Sequence, residues 1–221
     1  MFHPIDHPLE RGWVGRIDGD RVIHLAAQTL QSFFTGGGSA REHAVYPLDS
    51  VRLLAPVLHP PGLRVFDDRA TFAFANPAAI VGPEAEVAAS ALLPRLAAVI
   101  GAEGSLAGFT VFADWRRPGS SPPKDRDFAL GLGPVVVTPD ELDLDGLEAV
   151  VRVDGENRLR GRFEDFDWTA ARDLAAEGTI LRPGDLLAGP ALGTVDSLEL
   201  GGSVELDAEG IGVLPQTVLR H

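Results

Sequence analysis

The side chains of this 221-residue chain that could do chemistry are mainly carboxylates and guanidinium groups. Asp114 follows the apolar run Gly108-Phe-Thr-Val-Phe-Ala113 and precedes Trp115-Arg-Arg117, so one carboxylate stands beside two arginines. The simplest role of such an aspartate is an ion pair. An aspartate placed directly after an apolar strand can also be directed into a site, and the sequence alone leaves both roles open.

Several other kinds of site are excluded by residue type. The chain has no cysteine, which excludes disulfides, thiolate metal sites and a cysteine nucleophile. Gly36-Gly-Gly-Ser39 lacks the Lys-Ser/Thr that a phosphate loop needs, so it predicts a linker. The six histidines have no ligand spacing, which argues against a histidine metal site or a Ser-His-Asp triad; they are His3, His7, His24, His43, His59 and His221.

Charge and hydropathy restrict the partners and the location. The formal net charge of -13 repels phosphates and anionic membrane surfaces, so we expect neither nucleic acid nor membrane as a partner. No apolar run approaches the roughly 20 residues that span a bilayer, and the N-terminal segment does not have the pattern of a signal peptide. We therefore expect a cytoplasmic protein.

The elements that must position these side chains are mostly short strands. Twenty-five glycines and 17 prolines indicate many turns, and we predict a small N-terminal β annex over residues 1–55 and a larger domain over residues 56–221. In the annex, Trp13–Leu25 predicts a hairpin that turns at Asp18-Gly-Asp20, and Ala26–Phe34 has helical spacing.

The larger domain is predicted as a mixed α/β, mainly β roll with few helices. Strands are expected over Thr71–Val81, Leu93–Gly101, Gly108–Phe112, Pro134–Thr138, Val150–Val153 and Asn157–Gly161, with further short strands from Leu181 to Leu219. Asp167 predicts the N-cap of the clearest helix, which ends at Gly178, and the acidic stretch Asp140–Glu148 predicts a turn and a helix start.

Four blocks of sequence resemble the fumarylacetoacetate hydrolase family. They are Phe74–Pro83, Gly108–Trp115, Arg126–Pro134 and Thr179–Asp185, and the resemblance covers about residues 50–219. It implies a fumarylacetoacetase C-terminal-like β roll, a homodimer, and Mg²⁺- or Mn²⁺-dependent cleavage, decarboxylation or isomerisation of 2-oxo or β-diketo acids.

The resemblance also implies where a metal and catalytic groups would stand. Asp114 matches the family's metal-binding aspartate, whereas the positions of its Glu-x-Glu pair hold Leu93 and Arg95. Neither leucine nor arginine can bind a cation, so Glu84 or Glu86 is the alternative source of ligands. The lysine position falls on Arg126, with Lys124 two residues away as a substitute, and the segment with the catalytic histidine is missing after Arg64–Arg69.

Two hypotheses follow. In the first, the chain keeps the fold, is catalytically weak or inactive, and binds a small carboxylate through Arg95, Arg116, Arg117, Lys124 or Arg126, since a guanidinium can hold a carboxylate bidentately. An Arg95 that pairs with Asp114 in an empty site would instead be a repair of the protein core. In the second, a working Mg²⁺-dependent hydrolase, decarboxylase or isomerase uses Asp114 with Glu84 or Glu86. A third possibility, a structural partner for an active homologue, is left open.

Overall fold

The computed structural model describes residues 1–219 and is mainly β, as predicted; His221 lies outside the described residues. The strands are β1 (Phe2–Pro4), β2 (Gly15–Asp18), β3 (Arg21–Ala26), β4 (Ser39–Pro47), β5 (Val51–Leu53), β6 (Leu63–Val65), β7 (Ala73–Phe74), β8 (Ile80–Val81), β9 (Glu86–Val87), β10 (Ala91–Ile100), β11 (Leu106–Arg116), β12 (Leu130–Val137), β13 (Glu148–Val153), β14 (Glu156–Arg162), β15 (Leu186–Ala191), β16 (Ser203–Ala208) and β17 (Gly212–Val218). The α-helices are α1 (Leu30–Phe34) and α2 (Trp168–Ala176), and short 3₁₀ turns cover Leu48–Ser50, Pro77–Ala79 and Ala102–Gly104.

These strands form four sheets. The largest has seven strands in the order β7-β6-β15-β10-β11-β12-β8, and a five-stranded sheet has the order β14-β13-β16-β17-β9. The N-terminal strands form a three-stranded sheet, β2-β3-β4, and a two-stranded sheet, β1-β5. Across residues 1–219, no helix combines the length and the apolar character needed to cross a membrane.

The predicted N-terminal hairpin is confirmed. β2 and β3 pair antiparallel with Asp18 opposite Arg21, and Gly19 takes the positive φ of +61° that the tight turn requires. The predicted helix over Ala26–Phe34 is shorter than expected, because Thr29 caps it by accepting a 3.0 Å hydrogen bond from the Ser32 backbone N–H. β4 was not predicted, since this edge strand is almost wholly exposed and has no apolar alternation.

The centre of the large sheet is the antiparallel pair β10 and β11. Leu96, Ala98 and Ile100 belong to the main core cluster, whereas Ala97 and Val99 belong to a second cluster on the other face. This alternation explains why β10 is almost continuously buried: both of its faces are covered by apolar side chains. Strand alternation places Arg95 and Asp114 on the face of Ala97, Val99 and Phe112.

The five-stranded sheet and α2 supply the other side of the main core. Val151 and Leu206 from that sheet pack in the same cluster as Trp115 of β11 and Trp168 of α2. The predicted cap of α2 is confirmed, because the Asp167 side chain accepts a 2.9 Å hydrogen bond from the Ala170 backbone N–H.

Two sequence predictions were wrong. Thr71–Val81 is not one strand: Asn76 caps a 3₁₀ turn that begins at Pro77, and this turn separates β7 from β8. Asp140–Glu148 does not start a helix. The Asp143 carboxylate accepts a 3.0 Å hydrogen bond from the Asp145 backbone N–H, Gly146 takes φ +68°, and the chain enters β13 at Glu148.

Candidate functional site

The candidate site is a cluster of arginines and aspartates at one end of the β10–β11 pair. Asp114 lies opposite Leu93 in the strand register, and Arg95 lies opposite Phe112, so Arg95 and Asp114 are diagonal neighbours. Both side chains have no solvent exposure. The strand ends therefore hold two opposite charges in the interior of the protein.

Arg95 uses all three guanidinium nitrogens. Its Nε donates to Asp114 Oδ2 at 3.0 Å, and its Nη1 donates to the carbonyl oxygens of Phe66 and Gly189, both at 3.0 Å. Its Nη2 donates to Asp67 Oδ1 at 2.6 Å. These bonds satisfy a group that is costly to bury unpaired, and they favour the structural role of Arg95 over a role in binding a carboxylate ligand.

Asp114 is held by two further arginines. Arg116 binds it through both oxygens, with Nε to Oδ1 and Nη2 to Oδ2 each at 2.9 Å. Arg126 Nη2 donates to Asp114 Oδ2 at 3.3 Å. The Asp114 carboxylate thus accepts four N–H groups from three arginines, which is about its full acceptor capacity. The other guanidinium contact of Arg116 is Nη1 to Asp125 Oδ2 at 3.3 Å.

The two partly exposed arginines differ in how well their charge is compensated. Burial opposes the charge of Arg116, but hydrogen bonding and attraction to Asp114 outweigh it and raise the pKa of Arg116 overall. For Arg126, burial is the largest effect and lowers the pKa; attraction to Asp114 opposes the shift, while repulsion from Arg116 and Arg95 adds to it. Within residues 1–219, Arg126 Nε is also buried without a hydrogen-bond partner. Arg126 is therefore the least compensated cation of the cluster.

The other basic candidates lie apart from Asp114. Lys124 is 74% exposed and pairs with Asp127 at 2.6 Å. Arg117 donates from Nε to the Ala88 carbonyl, and its guanidinium carbon stands 4.0 Å from the centroid of the Phe128 ring. Of the basic residues proposed from the sequence, the structure brings Arg95, Arg116 and Arg126 together at Asp114 and leaves Arg117 and Lys124 with other partners.

The alternative acidic ligands are not assembled with Asp114. Glu84 is half-exposed and forms a 2.8 Å ion pair with Arg52, while Glu86 is an exposed residue of β9 in the five-stranded sheet. Residues 1–219 contain no group of three or more histidine, cysteine or acidic side chains that could hold a metal ion. The surroundings of Asp114 do not fit a divalent cation, because its oxygens already face three positive guanidinium groups.

The loop after β6 completes the environment of Arg95. Asp68 Oδ1 accepts 2.8 Å hydrogen bonds from the backbone N–H groups of Ala70 and Thr71, and these bonds lower the pKa of Asp68. The resulting turn supports the segment in which Phe66 and Asp67 contact the guanidinium. Asp67 was not predicted as a partner of Arg95, although a buried arginine in an apolar strand requires an acceptor and the pair Asp67-Asp68 was the available signal.

A cavity of about 330 Å³ lies beside this cluster. Gly189, whose carbonyl binds Arg95, lines it together with the aromatic rings of Phe163, Phe166 and Trp168. The charged residues that line the cavity are acidic, namely Asp145, Glu164 and Asp165. This cavity therefore lacks a cationic group of its own for a carboxylate.

Comparison with known proteins identifies the family. The model of the fumarylacetoacetate (FAA) hydrolase C-terminal domain matches residues 66–219. A comparison with curated proteins found no match.

Solved structures share the fold over nearly the whole chain. A 5-carboxymethyl-2-hydroxymuconate delta-isomerase from Mycobacterium smegmatis is 22% identical with a TM-score of 0.80, over 100% of this chain and 98% of that chain. Fumarylacetoacetate hydrolase from Exiguobacterium antarcticum is 21% identical with a TM-score of 0.80, over 96% of each chain. Maleylpyruvate hydrolase from Sphingobium sp. SYK-6, whose structure contains manganese(II) and pyruvate, is 19% identical with a TM-score of 0.78, over 95% and 97%.

The matched family model spans most of the chain, including β10, β11 and the Asp114 cluster. The similar solved structures share the fold over 96–100% of the chain. The predicted fumarylacetoacetase C-terminal-like β roll is confirmed, and the chain belongs to the fumarylacetoacetate hydrolase family.

Proposed function

We propose that this chain is a family member in which a buried arginine stands in for the divalent metal, so that it is weak or inactive in metal-dependent chemistry and binds a small carboxylate at Arg126. The observation that carries the proposal is the Arg95 guanidinium, fully buried and bonded to Asp114, Asp67, Phe66 and Gly189.

Charge balance supports the absence of a metal. The cluster contains three guanidinium groups, Arg95, Arg116 and Arg126, and their acidic partners are Asp114, Asp67 and Asp125. These six charges sum to zero. A divalent cation at Asp114 would add two uncompensated positive charges next to three others, in a region where low exposure strengthens the repulsion. Mg²⁺ also requires near-octahedral oxygen ligands, which leucine and arginine at positions 93 and 95 do not supply.

The expected loss of activity follows from the same side chains. Cleavage or isomerisation of a 2-oxo acid at a metal site uses the cation to polarise the carbonyl oxygen. Arg126 occupies the position that the resemblance assigns to a lysine, and an arginine cannot give up its proton to become a general base. The cluster therefore lacks both a Lewis acid and a base at these positions, although its arginines can still hold an anion.

Arg126 is the residue that we propose to bind the carboxylate of the ligand. Its only contact with Asp114 is 3.3 Å long, its Nε has no partner among the described residues, and its side chain keeps 15% exposure. The lowered pKa of Arg126 indicates that its positive charge is incompletely compensated. The carboxylate of a bound ligand would complete that compensation. Arg116 lies beside it and is engaged by Asp114 and Asp125.

Calorimetric titration of metal-free protein tests both parts. We expect no binding heat with Mg²⁺ or Mn²⁺, and we expect oxalate to bind without metal and to lose at least about tenfold in affinity in Arg126→Gln, which corresponds to about 1.4 kcal/mol. Arg152→Gln is the matched control, because Arg152 is a similarly paired arginine on the five-stranded sheet. Metal binding that oxalate strengthens and Asp114→Asn abolishes would instead support a divergent metal enzyme.

We also propose a homodimer, which rests on the family resemblance. Sedimentation equilibrium at several protein concentrations tests it: a mass near twice the 23.4 kDa of one chain supports the proposal, and a concentration-independent mass of one chain contradicts it.

A further inference from the structure

A second cavity, separate from the Asp114 cluster, has a volume of about 300 Å³. It lies where β6, β7 and the turn before β15 meet, and Arg64 and Asp185 line it. Its volume is at the lower end of the range for small-molecule sites, about 300–1,000 Å³. A cavity of this size can hold a small organic ligand.

Arg64 is the charged group of this cavity, and it is poorly compensated. Its side chain is 8% exposed, yet the one ion pair that it forms with the described residues is a long contact of 3.5 Å between Nη1 and Asp185 Oδ2. Arg64 Nε is buried without a hydrogen-bond partner in the part of the chain that the structure describes. Most buried guanidinium groups are fully hydrogen-bonded, as Arg95 is, so this one has unused capacity for an anion.

Asp185 does not remove that capacity. Its Oδ2 also accepts a 3.0 Å hydrogen bond from the Arg182 backbone N–H, which fixes the turn before β15. The Arg182 side chain lines the same cavity, so the cavity has two guanidinium groups and one carboxylate. Gly62 leaves space beside the pair, because a Cβ there would stand 3.1 Å from Asp185 Oδ1 and 3.4 Å from Arg64 Nη1.

The remaining walls are apolar and include the two most exposed large apolar side chains of the described residues. Phe74 is 73% exposed and Ile180 is 83% exposed. The Phe74 ring stands 5.5 Å from the Arg64 guanidinium carbon, a distance typical of a cation–π contact, so the ring is held in place despite its exposure. A ligand with an apolar body would cover these two side chains.

We infer that this Arg64 cavity is a binding site for a small monocarboxylate with an apolar, preferably aromatic, body. The carboxylate binds the Arg64 guanidinium, with Arg182 beside it, and the body packs against Phe74 and Ile180. The site is independent of the carboxylate proposed for Arg126, because none of its residues belongs to the Asp114 cluster.

Calorimetric titration with benzoate tests the inference, and benzamide serves as the neutral ligand of the same shape. We expect benzoate to bind with a dissociation constant below about 1 mM, and benzamide to bind at least about tenfold more weakly. Benzoate binding that persists in Arg126→Gln supports a site away from Arg126, as the inference requires. Binding that disappears in Arg126→Gln, or benzamide binding as tight as benzoate, would overturn the inference.

A pair of variants at the exposed Ile180 tests the site without disturbing a buried group. Ile180→Asp places a negative charge at the mouth of the cavity and should weaken benzoate at least tenfold, whereas the nearly isosteric Ile180→Asn should retain most of the affinity. Both variants should fold, since surface substitutions usually change stability by about 0.5 kcal/mol or less. Equal benzoate affinity in the two variants would contradict a carboxylate bound beside Arg64.

Discussion

Arg95 Nε donates to Asp114 Oδ2 at 3.0 Å, and neither side chain has any exposure to solvent. The two residues come from adjacent strands, and the carbonyl groups of Phe66 and Gly189 accept the remaining hydrogen bonds of Arg95 Nη1. A buried side-chain cation can take the place of a metal ion only if it donates hydrogen bonds to the groups that surround it. The planar guanidinium has five N–H donors in fixed directions, which suits this role.

Removal of the Arg95 charge should strongly destabilise the fold. In Arg95→Met, Asp114 keeps only Arg116 and Arg126, and the two carbonyl acceptors lose their donor. We expect the free energy of unfolding to fall by about 3–5 kcal/mol, the usual cost of removing one partner from a buried ion pair. Urea denaturation followed by tryptophan fluorescence measures the change.

The control for this prediction is Arg16→Met. Arg16 also pairs with an acid, Glu42, at 3.3 Å, but both side chains are more than half exposed. Its loss should change the free energy of unfolding by less than about 1 kcal/mol. Similar effects of the two substitutions would show that the Arg95 network contributes no more than a surface ion pair.

The sequence predicted which residue types stand at the site but not how they are connected. Leu93 and Arg95 in one strand and Asp114 in the next are local patterns, and strand alternation brings them onto one face. Asp67 and the carbonyl of Gly189 are 28 and 94 residues from Arg95 in the chain, and only the folded sheet order β6-β15-β10 brings them together. Contacts of this long range leave no periodic signal in a single sequence.

The same distinction holds for the fold. The hairpin at Gly19 and the helix after Asp167 were predicted because their turn and cap residues act locally. β4 is held by its pairing with β3, and its almost wholly exposed residues have no apolar alternation that would predict a strand. In Thr71–Val81, the apolar alternation continued across Pro77, where the cap formed by Asn76 decided the conformation.

Introduction of carboxylates beside Asp114 should create a metal site. Leu93→Glu with Arg95→Glu would place two acids beside Asp114, because position 93 is directly opposite it in the register. We expect Mn²⁺ to raise the midpoint of thermal unfolding of this double variant and to leave that of the wild type unchanged. Ligand at 100 times its dissociation constant stabilises a folded state by about 2.7 kcal/mol.

Two further variants identify the source of that effect. Arg95→Glu alone should gain less stability from Mn²⁺, and addition of Asp114→Asn to the double variant should abolish the gain. If Mn²⁺ raised the unfolding midpoint of the wild type as much as that of the double variant, Arg95 would not be standing in for the metal.

A buried hydrogen bond between the two large sheets should also be important for stability. Trp115 Nε1 in β11 donates to Gln216 Oε1 in β17 at 2.7 Å, and Gln216 Nε2 donates to the Gly82 carbonyl at 3.1 Å. In Gln216→Leu the buried indole N–H loses its acceptor, and we expect a loss of about 1–3 kcal/mol. The exposed Gln28→Leu should stay within about 0.5 kcal/mol of wild type in the same denaturation assay. Equal stability of both variants would contradict the role of this bond.

The N-terminal sheet should lose stability at acidic pH through His24. This ring stacks on Trp13 with a centroid distance of 4.8 Å, and the His43 ring is 5.5 Å away. Burial, with a further contribution from repulsion by His43, lowers the pKa of His24. The unfolded chain, with a histidine pKa of about 6.5, therefore binds more protons than the folded chain just below that pH. The stability is complete above about pH 6.5 and is lost as the pH falls towards the folded-state pKa.

The measurement is the free energy of unfolding between about pH 7.5 and pH 5 in wild type and in His24→Phe, which keeps an aromatic ring against Trp13. Wild type should lose stability more steeply than His24→Phe as the pH falls, because the variant has no imidazole to protonate. His59→Asn removes an exposed histidine and should keep the wild-type slope. A slope in His24→Phe as steep as in wild type would assign the acid sensitivity to other groups.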